Sequence, residues 1–238
     1  MTKAPTVFAV SLAAIAISIF AAPSASAVIG ISKFAVTPST TQAGGHPTID
    51  FSVTFDPPTS EVKNIVLHLP AGLSANALAA PACRSELLLS DLCPLSTKLG
   101  TVSLVGEALG FQAEAKRNIY NLRPTGAEQL RLGVPIFGSF SRGGIALTLP
   151  VTRRADGGLD VAVAGPPREV AGYAIRIKQV GCRINGTVRR KRGKRVRRRA
   201  LLTNPSTCGP ATTALEITNY DVPPATFTQT SAFTISGC

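Results

Sequence analysis

The sequence predicts an all-β protein, an antiparallel β-sandwich of the immunoglobulin-like or jelly-roll-like kind, with one short helix near residues 75–92. Three observations carry this prediction. Apolar residues alternate with polar ones, Gly- and Pro-rich turns separate the alternating segments, and β-branched and aromatic residues outweigh strong helix formers after the first 27 residues. Short alternating segments with frequent turns are typical of antiparallel sandwiches and barrels.

The strand segments are recognised by their period of two. In the stretch TIDFSVTF, Ile49, Phe51, Val53 and Phe55 alternate with polar residues. The same alternation recurs in IALTLPV, GYAIRIKQV and AFTISGC. Because successive side chains of a strand point to opposite faces, each segment is predicted to be a strand with one buried face.

The turns predict one continuous unit over residues 28–238. Strong turn signals occur as SRGG, ADGG and GPP between the strand segments. A subdivision near residue 124 is an alternative, but IYNLRPTGAEQLRLGV is typical of two strands joined by a Pro-Thr-Gly turn. A boundary there would cut a hairpin, so we expect a single β-rich unit.

The predicted helix lies in an Ala- and Leu-rich segment that Cys83 and Cys93 bracket. Five cysteines can form two disulfides in several ways. Proximity favours Cys83 with Cys93, and Cys208 with Cys238 would tie the final strands together. Cys182 is then the unpaired thiol, either a reactive or intermolecular group or, as we expect, a small buried apolar residue on a strand.

The first residues have the pattern of a secretory signal peptide, residues 1–27. Lys3 supplies a positive start, an apolar run extends from Val7 to Ala22, and Ala25-Ser26-Ala27 has the small residues of a cleavage site. The run is short for a bilayer core of about 30 Å, and no second long apolar run follows. We expect an exported mature chain, secreted or at the cell surface, with no membrane-spanning segment.

Four motifs follow one another along residues 33–238: AGGHP at a strand entry, LPAGL at a turn, a paired-Cys segment that ends in CP, and TNPSTCGP near the end. Together they resemble a family of uncharacterised secreted bacterial surface proteins. The resemblance implies a β-rich, surface-associated protein of unknown activity, and it carries over no catalytic residue.

The sequence predicts no catalytic residue, no cofactor and no metal site. Neither histidine is at a position that indicates catalysis or metal binding. His46 occupies a turn-like GGHP loop, and His68 lies on the solvent side of a predicted strand. No CxxC motif is present. Glu107 and Glu114 flank the Gly110 turn and would form a carboxylate pair if they faced each other. The alternative function, a secreted hydrolase with an unrecognised acidic site, depends on such a cluster.

The basic character of the chain is concentrated in one predicted hairpin, residues 186–201, called here the basic arm. The net charge is +12, and removing Lys3 together with the nine cations of the arm leaves +2. With Arg192 and Gly193 as the turn, like charges would oppose each other across the ladder and fray the tip. The nine predicted polyanion-binding residues are Arg189, Arg190, Lys191, Arg192, Lys194, Arg195, Arg197, Arg198 and Arg199.

These features together predict a secreted, non-enzymatic structural or binding module of the cell surface or cell wall. Arg outnumbers Lys in the basic arm, which suits bidentate contact with phosphate or carboxylate. The expected partner is an anionic cell-wall polymer or an anionic membrane surface. Nucleic acid fits less well, because no aromatic side chains are interleaved to stack on bases. The competing interpretation is a solvated loop whose charge aids solubility alone.

Overall fold

The computed structural model describes residues 30–59, 62–137, 145–170, 173–192, 195–220 and 223–238. The predicted signal peptide lies outside these residues. The described chain is almost entirely antiparallel β-structure, which confirms the all-β part of the prediction. No helix in this part of the chain has the length and apolarity needed to cross a membrane.

The elements are short strands with two brief helical segments. A 3-10 turn spans Leu95–Thr97. In chain order the elements are β1 (Gly30–Pro38), β2 (Ile49–Thr59), β3 (Val62–Leu69), β4 (Ser74–Ala75), α1 (Ser85–Leu89), β5 (Lys98–Ala108), β6 (Phe111–Leu122), β7 (Glu128–Phe137), β8 (Ile145–Arg153), β9 (Leu159–Ala164), β10 (Glu169–Val170), β11 (Tyr173–Ile184), β12 (Thr187–Arg192), β13 (Arg195–Ala200), β14 (Leu202–Thr203), β15 (Gly209–Asn219) and β16 (Thr226–Ile235).

One large antiparallel sheet contains most of the strands, in the order β1-β2-β11-β5-β6-β7-β8-β9-β3-β15-β16, with β10 paired to β11. β12 pairs only with β13, and β4 only with β14. Tyr120 on β6 faces Gly133 on β7 across residue 124, where a subdivision was the alternative to a single unit. Strands from both sides of that position therefore belong to one sheet.

The large sheet curls until its two edge strands, β1 and β16, lie side by side and nearly close a barrel. In the described part, side-chain hydrogen bonds join these edges. The Val36 amide donates to Ser231 Oγ at 3.0 Å, and Gln229 Nε2 donates to the Ile31 carbonyl at 3.0 Å. A single continuous sheet does not establish the finer prediction of a two-sheet sandwich.

The inner face of the sheet is apolar because the alternation in sequence places one side of every strand inward. On β15, Ala211, Thr213, Leu215 and Ile217 are buried, while the residues between them are more exposed. The segment TIDFSVTF behaves as predicted, since Ile49, Val53 and Phe55 all belong to the same core.

One end of the barrel is closed by two long excursions, residues 70–97 and 185–208. Leu73, Leu99 and Leu201 are almost completely buried there, and Leu202 on β14 pairs with Ala75 on β4 across this end. The predicted helix is shorter than expected, because α1 covers only five residues and residues 74–75 form a strand instead. Part of the predicted helical segment is thus used to pair with β14.

The opposite end of the barrel is crossed by residues 165–170. They follow β9 in the chain, include β10 and precede β11. In the order of eleven strands, β9 and β11 lie five positions apart. The two strands are therefore on opposite sides of the ring, and the connection passes over this end. Arg168 lies over the ring of Tyr220, 4.9 Å from its centroid, next to the end of β15.

Candidate functional site

The basic arm is a two-stranded hairpin that forms its own sheet beside the barrel. β12 pairs with β13 so that Arg189 faces Arg198, Arg190 faces Arg197 and Arg192 faces Arg195. The expected turn at Arg192 is wrong, because Arg192 belongs to β12 and the partner of each β12 residue lies two positions further along β13 than expected. Residues 193 and 194, between the two strands, lie outside the described residues.

The register divides the described arginines unequally between the two faces of the arm. Directly opposed residues share a face, and neighbours along a strand alternate. One face therefore carries Arg190, Arg195, Arg197 and Arg199, called here the arginine face, while the other carries Arg189 and Arg198. Residues two apart on a strand are about 7 Å apart, so the arginine face presents cations at a regular spacing.

All six of these arginines are exposed. None of them forms an ion pair with a carboxylate in the part of the chain that the structure describes. Three further residues were predicted for polyanion binding: Lys191 and Arg192 are described here by their backbone alone, and Lys194 lies outside the described residues.

Like charges therefore face each other across the ladder, as the sequence predicts. The residues that face each other differ from the expected ones. Two unit charges about 5 Å apart in water repel by about 0.8 kcal/mol before screening by salt. The backbone register places like charges opposite each other in two such pairs, Arg189 with Arg198 and Arg190 with Arg197. An anion bound between such a pair would remove the repulsion.

The base of the arm is firmly packed, in contrast to its exposed strands. Val188 and Leu201 are buried, and the Leu201 amide donates to the Gly186 carbonyl at 2.9 Å. Gly186 is required here because a Cβ would come within 2.2 Å of the His46 carbonyl. The Asn76 amide donates to the Leu201 carbonyl at 2.8 Å. The arm thus projects from a fixed base.

The two histidines have separate surroundings. His46 lies near the base of the arm, with Nδ1 3.1 Å from the Leu202 carbonyl oxygen. His68 is half-buried on the outer side of β3 rather than simply solvent-facing, and its Nδ1 is 2.8 Å from Asp160 Oδ1 on β9. Sequence reasoning missed this contact because the two residues are 92 positions apart.

The carboxylates near His68 belong to an ion-pair network. Arg154 Nη1 donates to Asp160 Oδ1 at 2.6 Å, and Glu216 Oε2 lies 3.7 Å from His68 Nε2. Asp160 therefore already has two partners, His68 and a cation, and the network links β3, β9 and β15. Within the described residues, no group of three or more His, Cys, Asp or Glu side chains is arranged to hold a metal ion.

Glu107 and Glu114 do not face each other directly. In the register of β5 and β6, Glu107 faces Gln112 and Glu114 faces Val105, so the two carboxylates on which the alternative function depends are offset by two residues along the ladder. Lys178 Nζ lies 2.8 Å from Glu107 Oε2. This hydrogen bond and the lysine charge hold the pKa of Glu107 below its usual value.

The two disulfides join the cysteine pairs that the sequence predicts, Cys83 with Cys93 and Cys208 with Cys238. Cys182 is free and lies on the inner side of β11. Burial among apolar side chains, with a smaller contribution from Asp50, raises the pKa of its thiol far above the usual value. A thiolate is therefore strongly disfavoured at this position.

The inside of the barrel contains a cavity of about 190 Å³, called here the interior cavity. Its lining is aliphatic and aromatic apart from Cys182, and it extends from Ala75 and Leu202 at the closed end to Pro166 at the crossed end. Several inward-facing side chains, including Leu149 and Val180, are only half-buried because they border this space.

A space of this size is unusual in a folded protein, because protein interiors are close-packed and most of their voids are no larger than a water molecule. Sequence reasoning missed the cavity because alternation shows which side chains point inward, whereas the space between them depends on how many strands form the ring.

Comparison with protein-family models, with curated proteins and with solved structures finds no match to this chain. The resemblance to secreted bacterial surface proteins stays a prediction.

Proposed function

We propose that this protein is an exported, non-enzymatic module that docks on an anionic polymer of the cell wall through the arginine face of its basic arm. The observation that carries the proposal is the register of β12 and β13, which places four exposed arginines on one face. Guanidinium groups make paired hydrogen bonds to phosphate and carboxylate, and such charge-assisted bonds are strong and directional.

A linear polymer fits the arm better than a flat membrane. The two strands extend the charged surface over about 20 Å, so charged groups that repeat along a chain can contact successive arginines. Among the arm residues whose side chains are described, Val196 is the only exposed apolar one, so the arm offers little that would insert among lipids. The rest of the mature chain is close to neutral and would not compete for the polymer.

The experiment compares two double variants that each remove two charges from the arm. Arg190→Gln/Arg197→Gln removes an opposed pair from the arginine face, and Arg189→Gln/Arg198→Gln removes an opposed pair from the other face. Binding to immobilised poly(glycerol phosphate) is measured at low salt. We expect the first variant to lose at least tenfold in affinity and the second to lose threefold or less.

Equal losses in the two variants would contradict a contact made by one face. Tighter binding of the wild-type protein to anionic vesicles or to single-stranded DNA than to poly(glycerol phosphate) would contradict the choice of a cell-wall polymer. No binding at low salt to any of these anions would leave the charge with a role in solubility alone and overturn the proposal.

A further inference from the structure

We propose that the interior cavity is a binding site for one aliphatic chain, such as the acyl chain of a fatty acid or of a monoacyl lipid. This site is separate from the basic arm and does not depend on the function proposed for the arm. The interior cavity, at about 190 Å³, is larger than the engineered apolar cavities of about 150 Å³ that stay dry and bind small apolar molecules.

The lining determines the class of ligand. Protein interiors are close-packed and leave few voids larger than a water molecule, so a space of this size is exceptional. Its walls are formed by Val, Ile, Leu and Phe side chains, among them Phe51, Leu104 and Val161, and they offer no hydrogen bond to a polar group inside. A ligand held there gains affinity by removing apolar surface from water, which favours a hydrocarbon chain.

The number of strands in the ring explains why the interior cavity exists. Barrels of about eight strands are just wide enough for side chains to fill, and barrel diameter grows with the number of strands. Here eleven strands form the nearly closed ring. The described chain places β4 and β14 across one end but passes no element through the centre, so the inward side chains leave room between them.

The polar end of the ligand would lie at the crossed end of the barrel. Pro166 lines the interior cavity and also a shallow polar depression that includes Arg168, Glu169 and Arg176. The depression is a polar surface next to the crossed end of the interior cavity, and we assign the head group of the ligand to it. The basic arm begins next to Leu202 at the opposite, closed end, so the two sites lie at different ends of the molecule.

The first experiment is calorimetric titration of the purified protein with octanoate, decanoate and dodecanoate. Each methylene group that enters the cavity should raise the affinity about fourfold. Val180→Trp fills the space from a lining position, and Gln179→Trp places the same residue on the exposed side of the same strand. We expect Val180→Trp to lose at least tenfold in dodecanoate affinity, and Gln179→Trp to bind as the wild type does.

The chain contains no other Trp, so emission of the introduced residue reports whether each variant is folded with that side chain inside or outside. No binding of any chain by the wild-type protein, or unchanged binding by a folded Val180→Trp variant, would overturn the proposal.

The head group is tested with Arg176→Gln. If the ligand is a free fatty acid, this variant should weaken dodecanoate binding severalfold and leave a neutral monoacylglycerol unaffected. Stronger binding of the monoacylglycerol by the wild-type protein would identify the acyl chain of a neutral lipid as the source. Both results support the aliphatic site, and failure to bind either compound would refute it.

Discussion

Glu128 and Arg131 form a bidentate ion pair beside the turn that joins β6 to β7. Arg131 Nε donates to Glu128 Oε2 at 2.8 Å and its Nη2 to Oε1 at 2.6 Å, while the Thr125 amide also donates to Oε2 at 3.0 Å. The hydrogen bonds from Arg131, followed by that from the Thr125 amide, lower the pKa of Glu128 to about 2 against the opposing effect of burial.

Glu128→Gln is therefore expected to destabilise the protein in a pH-dependent way. Because the folded-state pKa is depressed, the stabilisation is complete above the unfolded pKa near 4.5 and is lost as the pH falls through about 2. We expect a loss of about 1 kcal/mol in the free energy of unfolding at pH 7 that shrinks to a small fraction near pH 2. Urea unfolding of both proteins at several pH values measures it, with the exposed Glu114→Gln as control. A difference that does not change with pH would contradict the assignment.

At the residue scale, the sequence predicts features that depend on nearby positions. Cys83 and Cys93 are close in sequence, and their pairing follows from proximity. The contact between His68 and Asp160 joins residues far apart in the chain, and no local pattern indicates it. Residue types limit which contacts are possible, and the fold then selects the partners.

At the scale of the element, the basic arm is packed only at its base. The buried residues are Val188 and Leu201, whereas the described arginines of both strands are exposed. The opposed arginines repel each other and add no stability to the ladder. The arm is thus expected to contribute charge to the molecule and little to its folding.

A shortened arm tests this expectation. Replacing residues 189–198 by Asn-Gly keeps the opposed pair Val188 and Arg199 and supplies a favourable two-residue turn. We expect the free energy of unfolding to stay within about 1 kcal/mol of the wild-type value, since little apolar surface is lost. Leu201→Ala at the buried base should cost about 2–5 kcal/mol in the same denaturant titration. A loss of several kcal/mol in the shortened-arm variant would show that the arm supports the fold.

The sequence predicts elements better than it predicts their ends. The alternation in TIDFSVTF and GYAIRIKQV correctly indicates β2 and β11. Arg192 lies in β12 and pairs with Arg195, rather than in the turn as expected, because a run of basic residues gives no alternation that would mark the end of a strand. The short helix expected near residues 75–92 is present as Ser85–Leu89, but its start could not be predicted, and Ala75 instead pairs with a strand more than a hundred residues later.

At the scale of the whole molecule, the order of strands creates the two candidate sites. In the sheet, β11 lies between β2 and β5, although it follows both strands by many residues in the chain. This placement is part of the strand order that forms the wide ring. Alternation within a strand does not contain this information, because pairing between distant strands depends on the complete set of partners. The interior cavity and its separation from the basic arm therefore emerge only from the assembled sheet.

The two ends of the barrel differ in chemistry. The closed end carries the basic arm on a buried base, and the crossed end adjoins the polar depression beside Pro166. A polymer held by the arm would leave the crossed end free, because the two sites are separated by the length of the strands. If both proposals hold, the protein binds a polymer at its closed end and an aliphatic ligand at its crossed end.

The central claim is that the basic arm holds the protein on an anionic polymer. It is tested most directly by measuring affinity for poly(glycerol phosphate) over a range of salt concentrations, with the wild-type protein and the shortened-arm variant side by side. Each phosphate neutralised by a cation should contribute about −0.7 to −0.9 to the slope of log affinity against log salt. We expect a steep slope for the wild type, with at least three such contacts, and no measurable binding by the variant. Equal affinity and equal slope in the two proteins would contradict it.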